Sequence, residues 1–393
     1  MYKILKNVDE DNLYRNIIDL MGPNDPVFNQ DKLDAAADFI ASRFDEYGLQ
    51  VSEHVFEIEG RKYRNIEGLI STGEGSELLL TSHYDTVPKA PGANDNLSGT
   101  SVMLESARIL AEAGDPLNVR FVGFTLEEGH PNRFATDLAS AQELGLMDEH
   151  FNFRNLNTQM LRKRFGEYIV QGRRGGREYR DSVDLFFDEC KGMMNEAELS
   201  YFRGVGEFYG NLTFDAWWGN HYLTGSSRWV EERAHSTDIA GVVNLEEVGY
   251  YTQLPNSQRF PAGIVPEMIQ RHLVDDMYVG NFLVGIADAN SGSLLELFAS
   301  CCKLEEVKLP FAWLHAPFSY EVMNQKMYDL LRSDHAPFWR EGIPAIIVSD
   351  SANFRTPFYH TQADTIDKLD FGCIVRVCRA SIATALNSST LNQ

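Results

Sequence analysis

Short apolar runs that end in polar residues constrain the fold of this 393-residue chain more than any other feature. We interpret each run as a buried strand, because helical patterns separate the runs along the chain. Strands that alternate with helices are typical of a layered α/β sheet. We therefore expect a three-layer α/β/α fold, with a central mixed, mostly parallel sheet and helices on both faces. The predicted buried strands cover residues 78–80, 119–126, 239–245 and 345–348.

Further patterns predict the elements that surround these strands. Apolar residues at helical spacing predict helices, and one alternating stretch across Glu59-Gly60-Arg61 predicts a hairpin. In open α/β sheets, ligands bind outside the carboxyl ends of the strands, where the polar residues of this chain gather. The predicted helices cover residues 31–47, 98–113 and 371–387, and the predicted hairpin strands cover residues 51–58 and 62–70.

The segment 131–223 breaks this rhythm, because it is polar and aromatic and has helical stretches of its own at 182–190 and 196–202. It contains an arginine cluster at 173–177 and the pair Trp217-Trp218. We interpret it as an insertion into one domain formed by residues 1–130 and 224–393. Segments of this length between core elements are usually functional or disordered. A lid over a binding site and a contact between copies in a homo-oligomer are both open.

Charge and cysteine content exclude several classes of protein. The 57 acidic and 35 basic residues give a net charge of −22, which argues against nucleic acid or an anionic membrane as the main partner. No apolar run is long enough to span a membrane, and the N-terminal residues show no secretory signal. The odd number of cysteines, five, fits neither a zinc ribbon nor a disulfide framework. We expect reduced thiols and a cytoplasmic location.

His83 and Asp85 form the first candidate for metal chemistry, at the end of the strand predicted over 78–80. A spacing of two on an extended chain points both side chains the same way. His83 can then bind a metal while Asp85 hydrogen-bonds the other ring nitrogen and fixes the tautomer. Taken alone, a His-x-Asp triplet has little specificity.

Asp95 and the pair Glu127-Glu128 add carboxylates to the same region. Asp95 lies in a Gly/Asn loop before a helix, where it can bridge two cations, although Asp, Asn and Ser there are also ordinary helix caps. Two adjacent, half-buried glutamates repel each other and lose hydration. A metal ion removes that cost for one of them, and the other can then act as a general base.

The last candidates are the histidines of Ser333-Asp334-His335 and Tyr359-His360-Thr361. Both histidines lie in predicted polar turns, where surface residues are more common than metal ligands. Taken with the earlier motifs, however, this ordered set resembles the co-catalytic di-zinc aminopeptidase family, which also contains glutamate carboxypeptidase II. The resemblance covers about residues 31–130 and 225–387, and it implies a zinc-exopeptidase-like fold and a metallopeptidase that acts on peptides.

The resemblance also implies a role for each matching residue. Two divalent ions are expected, with zinc favoured and manganese or cobalt as alternatives. Tyr359 and His335 are candidates for contacts to the oxyanion or the substrate. The implied ligands are His83 and Glu246 on one ion, Glu128 and His360 on the other, and Asp95 on both, with Glu127 as the general base and Asp85 orienting His83.

One departure from the family pattern leaves alternatives open. Glu246 stands where the aminopeptidases commonly have aspartate, so the choice between amino-terminal and carboxy-terminal cleavage stays open. The adjacent Glu247 is an alternative candidate for the same metal-ligand role. A single-zinc transferase of the glutaminyl cyclase type would share the fold and most of the motifs. A non-catalytic receptor on the same scaffold is a third possibility, but such relatives lose metal ligands, whereas every ligand position of this chain holds a competent residue.

Overall fold

A computed structural model describes residues 2–71 and 75–392 of the chain. Within this part of the chain, nine strands form one mixed sheet in the order β1-β2-β4-β3-β5-β9-β7-β8-β6. The strands are β1 (Gln50–Ile58), β2 (Arg61–Ile70), β3 (Glu77–His83), β4 (Val119–Phe124), β5 (Ile239–Glu246), β6 (Gln270–His272), β7 (Leu283–Ala287), β8 (Phe311–His315) and β9 (Ala345–Ser349).

The centre of the sheet is parallel and its margins are mixed. Strands β4, β3, β5 and β9 run in the same direction, whereas β2 and β7 pair antiparallel with β4 and β9. The carboxyl ends of the four parallel strands therefore meet at one edge of the sheet, which is where ligands bind in open α/β folds.

Helices cover both faces of this sheet. They are α1 (Glu10–Leu20), α2 (Gln30–Glu46), α3 (Leu97–Ala113), α4 (Pro131–Phe134), α5 (Ser140–Glu143), α6 (Leu156–Arg174), α7 (Tyr179–Cys190), α8 (Glu196–Gly210), α9 (Trp217–Asn220), α10 (Thr224–Arg233), α11 (Gly292–Cys302), α12 (Tyr320–Lys326), α13 (Ala336–Arg340) and α14 (Phe371–Leu386).

Alternate residues of the central strands face the two helical layers. Leu78 and Leu80 of β3 join one apolar core, which also contains buried residues of α1, α2, α3, α11 and α14. Leu79, between them, joins a second core formed with α10, α12 and α13. This alternation explains why the central strands read as continuous apolar runs. The expected three-layer α/β/α fold is confirmed.

Most predicted strands and helices appear close to their expected bounds, but the helix predicted over 196–202 extends to Gly210, and one strand differs in an informative way. The strand predicted over 119–126 ends at Phe124 instead. Leu126 has a φ of 56°, in the left-handed region that nonglycine residues seldom adopt. The chain therefore turns before Glu127 and Glu128, and both glutamates lie in the loop that follows β4.

The segment 131–223 folds as a group of helices around an apolar core of its own. Phe165, Phe186, Phe202 and Tyr209 are among the buried residues of this core. Arg173 connects the segment to the rest of the chain, because its Nη2 atom donates to the side-chain and backbone oxygens of Asn324. The limits of the insertion stay a prediction. In residues 2–71 and 75–392, no helix is long and apolar enough to cross a membrane.

Candidate metal centre

The carboxyl ends of β3, β4 and β5 bring the predicted ligands together. His83 is the last residue of β3 and Glu246 the last residue of β5, while Glu127 and Glu128 follow β4. Asp95 comes from the loop before α3, and all five side chains are buried. Residues up to 163 positions apart in the sequence thus meet at one place in the fold.

His83 faces several carboxylates. Its Nε2 atom lies 3.4 Å from an oxygen of Glu246, 3.5 Å from Oδ1 of Asp95 and 3.9 Å from Oε2 of Glu127. Its other ring nitrogen, Nδ1, lies 3.0 Å from the backbone oxygen of Asp85. A proton on Nδ1 is held by that carbonyl, which leaves the lone pair of Nε2 directed at the carboxylates.

His360 forms a second group on the other side of Asp95. Its Nε2 atom lies 3.0 Å from Oε2 of Glu128 and 3.2 Å from Oδ2 of Asp95. The two oxygens of Asp95 therefore face different histidines, as a carboxylate that bridges two cations must do. This geometry agrees with the expected pairing of ligands, which stays a prediction.

Several buried ligand atoms in this cluster make no hydrogen bond of suitable geometry, although some of them lie within ion-pair distance of one another. They include Oδ2 of Asp95, Oε1 of Glu128 and Nε2 of His360. Because an unpaired buried polar atom is costly, so many at one place indicate that something else normally satisfies them. Imidazole and carboxylate donors suit divalent ions such as Zn²⁺, Mn²⁺ and Co²⁺, so the residues fit the expected metal centre. The donor groups that come within reach of a single ion are His83–Glu127–Glu246, Asp95–Glu128–His360 and Asp95–Glu246–Glu247.

Asp85 has a different principal contact from the one expected. Its carboxylate lies 3.6 Å from Nδ1 of His83, farther than its own backbone oxygen. Instead, its two oxygens accept hydrogen bonds from the backbone N–H groups of Glu127 and Glu128, each at 3.0 Å. Asp85 therefore orients His83 through its main chain and the glutamate pair through its side chain. The second role was not visible in the sequence, because it joins two strand ends 42 residues apart.

Glu246 and Glu247 occupy different surroundings. Glu246 faces His83, and its Oε2 atom accepts a 2.7 Å hydrogen bond from the hydroxyl of Ser333. Glu247 instead accepts from the side-chain amide of Asn94, at 2.9 Å, and leaves its Oε1 atom without a partner. The contact with His83 supports Glu246 as the ligand on that side, and Glu247 remains within reach of Asp95.

Tyr359 and His335, the two expected substrate contacts, differ in position. The Tyr359 ring stacks on His360 with 3.6 Å between ring centroids, and the residue lines the cavity beside the cluster. His335 does not meet the expectation. Its Nε2 atom pairs with the backbone oxygen of Leu330 at 2.8 Å, and the ring is fully buried against Trp339. The Ser-Asp-His motif therefore contributes the hydroxyl of Ser333 to the cluster and uses His335 for packing.

Two residues that the sequence did not single out support the site. Arg332 donates from Nη2 to the hydroxyl oxygen of Tyr359, at 2.9 Å, so that the phenolic proton is left for another acceptor. Asp364 accepts from the backbone N–H groups of Asn94 and Asp95, at 2.9 and 3.1 Å, and so fixes the loop that carries Asp95. Asp364 lies four residues after His360, and this spacing was the only available signal.

Burial and mutual repulsion raise the pKa values of the carboxyls in this cluster. Burial, together with Glu246 and Glu128, raises the pKa of Glu127 well above its usual range, although His83 opposes the shift. Burial and the charge of Asp95 raise the pKa of Glu128 to about 7 and that of Asp364 to about 7. Without cations, the folded protein therefore holds protons that the unfolded chain would release.

We expect the metal-free protein to lose stability as the pH rises. Glu128 and Asp364 titrate near 4 when unfolded, so the folded state binds more protons than the unfolded chain between about pH 4 and pH 7. The stability that these protons give the folded state is therefore lost as the pH rises through that window. His360 acts in the same direction: burial lowers its pKa, but Glu128 and Asp95 raise it to about 9. Thermal unfolding in chelator should show Tm falling by about 5 °C or more from pH 5.5 to 8.5.

Saturating zinc should reduce this dependence, because cations replace the protons on the carboxylates. A Tm in chelator that stays level or rises over the same pH range would contradict the clustering of these groups. The pH range lies above the titration of Asp95, since the two histidines lower the pKa of that carboxyl against the effect of burial.

An apolar cavity opens beside the cluster, bounded at one end by Asp95, Glu127 and Glu128. Side chains from one face of β7, β8 and β9 line it, together with residues of the loop around Phe260. None of the described residues that line it belongs to the segment 131–223, so a lid role for that segment stays a prediction. The apolar lining includes Phe260, Ile264, Ile269, Met277, Phe282, Val284, Ile286, Ala312, Leu314 and Ile347.

The sequence matches the model of peptidase family M28 over residues 65–132 and 303–385. These ranges hold the motifs of His83, Asp95, Glu127 and His360. Over these two ranges the chain is similar to peptidase family M28. The expected resemblance is thereby confirmed, and family M28 places the chain among the metallopeptidase hydrolases. The unmatched residues between the two ranges, 133–302, include all but the first two residues of the segment 131–223.

Two relatives from bacteria extend the M28 match. The uncharacterized protein YfbL of Escherichia coli is 24% identical over 370 residues, which cover 92% of this chain and 82% of YfbL. The aminopeptidase YwaD of Bacillus subtilis is 43% identical over 83 residues, which cover 21% of this chain and 18% of YwaD.

Solved structures of two kinds share the fold. The LapA aminopeptidase of Legionella pneumophila superposes with a TM-score of 0.57 at 16% identity and covers 98% of this chain and 71% of LapA. A glutaminyl cyclase of Porphyromonas gingivalis superposes with a TM-score of 0.54 at 16% identity and covers 97% of this chain and 98% of the cyclase. At this level of identity the likeness shows the fold alone, which the two activities share.

Proposed function

We propose that the chain is a two-metal exopeptidase that removes single residues from the amino terminus of peptides. The observation that carries the proposal is the arrangement around Asp95, whose two oxygens face His83 and His360 at 3.5 and 3.2 Å. Bound divalent ions would polarise the scissile carbonyl and make a water molecule more acidic. We expect zinc, with manganese and cobalt as alternatives.

Each residue of the cluster has a distinct task in this proposal. His83 and Glu246 would hold one ion, Glu128 and His360 would hold the other, and Asp95 would be shared between them. Glu127 remains free to take a proton from water and to deliver it to the leaving amine. Tyr359 supports this reaction by offering a phenolic proton at the cavity, since Arg332 occupies a lone pair of its oxygen.

The charge of the site supports amino-terminal cleavage. Five acidic side chains, those of Asp95, Glu127, Glu128, Glu246 and Glu247, are buried at the site. A free ammonium group can donate hydrogen bonds to carboxylate oxygens that no cation occupies. The apolar cavity beside the cluster fits the side chain of the residue that is removed, which we expect to be large and apolar.

A panel of aminoacyl amides and blocked peptides tests this function directly. The protein reconstituted with zinc should release leucine or phenylalanine from unblocked substrates and should leave N-acetylated ones intact. Cleavage that requires a free carboxyl terminus would overturn the proposed polarity. Binding of metal without cleavage of any peptide or amide would overturn the proposed activity.

The cavity predicts a specific change in substrate preference. Ile286 lines the cavity from β7, and its replacement by phenylalanine places additional atoms where the substrate side chain would lie. We expect Ile286→Phe to lower kcat/KM for leucine substrates about 10-fold relative to alanine substrates. The control is Leu273→Phe, because Leu273 is 57% exposed and does not line the cavity. An unchanged leucine-to-alanine ratio in Ile286→Phe would show that the substrate side chain binds elsewhere.

A glutaminyl cyclase activity is the second candidate, because a cyclase shares the fold over nearly its whole length. The two candidates differ in metal count and in product. A peptidase of the proposed type needs two ions and yields a free amino acid. A cyclase would work with one ion and convert an N-terminal glutamine to a ring with release of ammonia. Incubation of a glutamine-initiated peptide, followed by mass measurement, separates these outcomes.

A further inference from the structure

The backbone of the glutamate pair is held from two sides by different parts of the chain. On one side, the carboxylate of Asp85 accepts from the N–H groups of Glu127 and Glu128. On the other side, the carbonyl of Glu127 accepts from the N–H of Leu223 at 2.9 Å. The carbonyl of Glu128 accepts from the guanidinium of Arg133 at 2.8 Å. The second set of donors lies at the two ends of the segment 131–223.

Arg133 is fixed in place by its surroundings. Its guanidinium lies over the ring of Tyr222 at 4.3 Å and over that of Phe134 at 5.1 Å from the ring centroids. Such cation–π contacts stabilise a charged group that has lost part of its hydration. Tyr222 and Arg133 belong to opposite ends of the segment, so the same contact joins those ends beside Glu128.

Gly129 gives independent support for this arrangement. A Cβ atom at this position would lie 2.9 Å from Nη1 of Arg133 and 2.8 Å from the ring of Phe134. The lack of a side chain at Gly129 therefore leaves the space through which the guanidinium reaches the carbonyl of Glu128. A glycine directly after the glutamate pair and an arginine four residues later thus form one structural unit.

We infer that Arg133 is a positioning residue, which sets the direction of the Glu128 carboxylate by holding the peptide group that follows it. The inference rests on the proposed function, in which Glu128 binds a metal ion. A hydrogen bond from a charged donor is stronger than one between neutral groups, and its loss frees the carbonyl to turn. The segment 131–223 then affects the metal centre through the backbone carbonyl of Glu128, which Arg133 contacts.

The test compares the wild-type protein with Arg133→Met and Arg133→Lys. Zinc affinity is measured by competition with a chromogenic chelator, and kcat and KM are measured on the same samples. We expect Arg133→Met to weaken zinc at one site about 10- to 100-fold and to lower kcat at saturating zinc with little change in KM. Arg133→Lys should recover part of both, because a lysine can still donate to the carbonyl.

Arg162→Met is the matched control. Arg162 is also in the segment, but it pairs with Asp137 at 2.6 Å and does not contact the glutamate loop. Its loss should lower Tm and leave zinc affinity unchanged. Equal losses of zinc affinity in Arg162→Met and Arg133→Met would show that general loosening of the segment is the cause, which would overturn the inference.

Gly129→Ala provides a second variant, which keeps the guanidinium of Arg133. The added methyl group should displace the guanidinium and reproduce the loss of zinc affinity. Native zinc affinity in both Gly129→Ala and Arg133→Met would overturn the inference. If the wild-type protein binds zinc and cleaves nothing, the proposed function fails while the zinc affinities still decide the role of Arg133. A wild-type protein that binds no zinc would overturn both.

Discussion

Replacement of Glu127 by glutamine should abolish turnover and leave metal binding intact. Glu127 is buried beside His83, and its carboxylate is the one that the proposed ligand set leaves for proton transfer. Glutamine keeps the size of the side chain but cannot accept the proton. We expect kcat to fall by about 10³-fold or more, with KM nearly unchanged. Steady-state kinetics and metal analysis of the same sample test this.

The control for this variant is Glu247→Gln. Glu247 is an equally buried carboxylate next to the cluster, and it hydrogen-bonds to Asn94. We expect it to affect kcat much less than Glu127→Gln does. Substantial turnover by Glu127→Gln would assign the proton transfer to another residue. Loss of an ion from Glu127→Gln would make Glu127 a ligand, as its closeness to His83 and Glu246 also permits.

Replacement of Asp95 by asparagine should weaken both metal sites together. The two oxygens of Asp95 face different histidines, so the change removes negative charge from both groups of ligands. Residues that only support ligands change metal affinity 10- to 100-fold, and we expect a loss of about 100-fold or more at each site for a shared ligand. Competition with a chelator measures both constants, and activity at limiting zinc should disappear.

Asp364→Asn is the matched control for Asp95→Asn. The carboxylate of Asp364 accepts hydrogen bonds from the backbone of the loop that carries Asp95, through the N–H groups of Asn94 and Asp95. It should weaken zinc binding less than Asp95→Asn and equally little at both sites. If Asp95→Asn weakened one site and left the other at its native affinity, Asp95 would not be shared.

Local patterns in the sequence predicted the fold, and the resemblance of the ordered motifs to a known family predicted most of the cluster. Apolar runs such as 78–80 and 239–245 predicted the central strands, and the polar residues at their ends predicted where a ligand would bind. The strand before Glu127 was predicted too long, because Leu126 is apolar yet adopts a left-handed turn. The apolar character of a residue does not show whether its backbone continues a strand or turns.

The contacts that the sequence did not reveal join distant parts of the chain. Asp85 holds the backbone of Glu127 and Glu128, and Arg133 reaches back to the carbonyl of Glu128. The positions of Asp85 and Arg133 in the sequence do not distinguish these contacts from those of ordinary charged residues on the surface. The cavity was also not predictable, because its wall includes β7 and β8, two strands that the apolar patterns did not identify.

Titration of the metal-free protein with zinc, with activity followed on a leucine amide, tests the two-metal account most directly. Because the two oxygens of Asp95 face two different histidines, activity should keep rising until two equivalents of zinc are bound per chain. Metal analysis after dialysis should then find two ions. Full activity at one equivalent, with no second ion bound, would contradict the account.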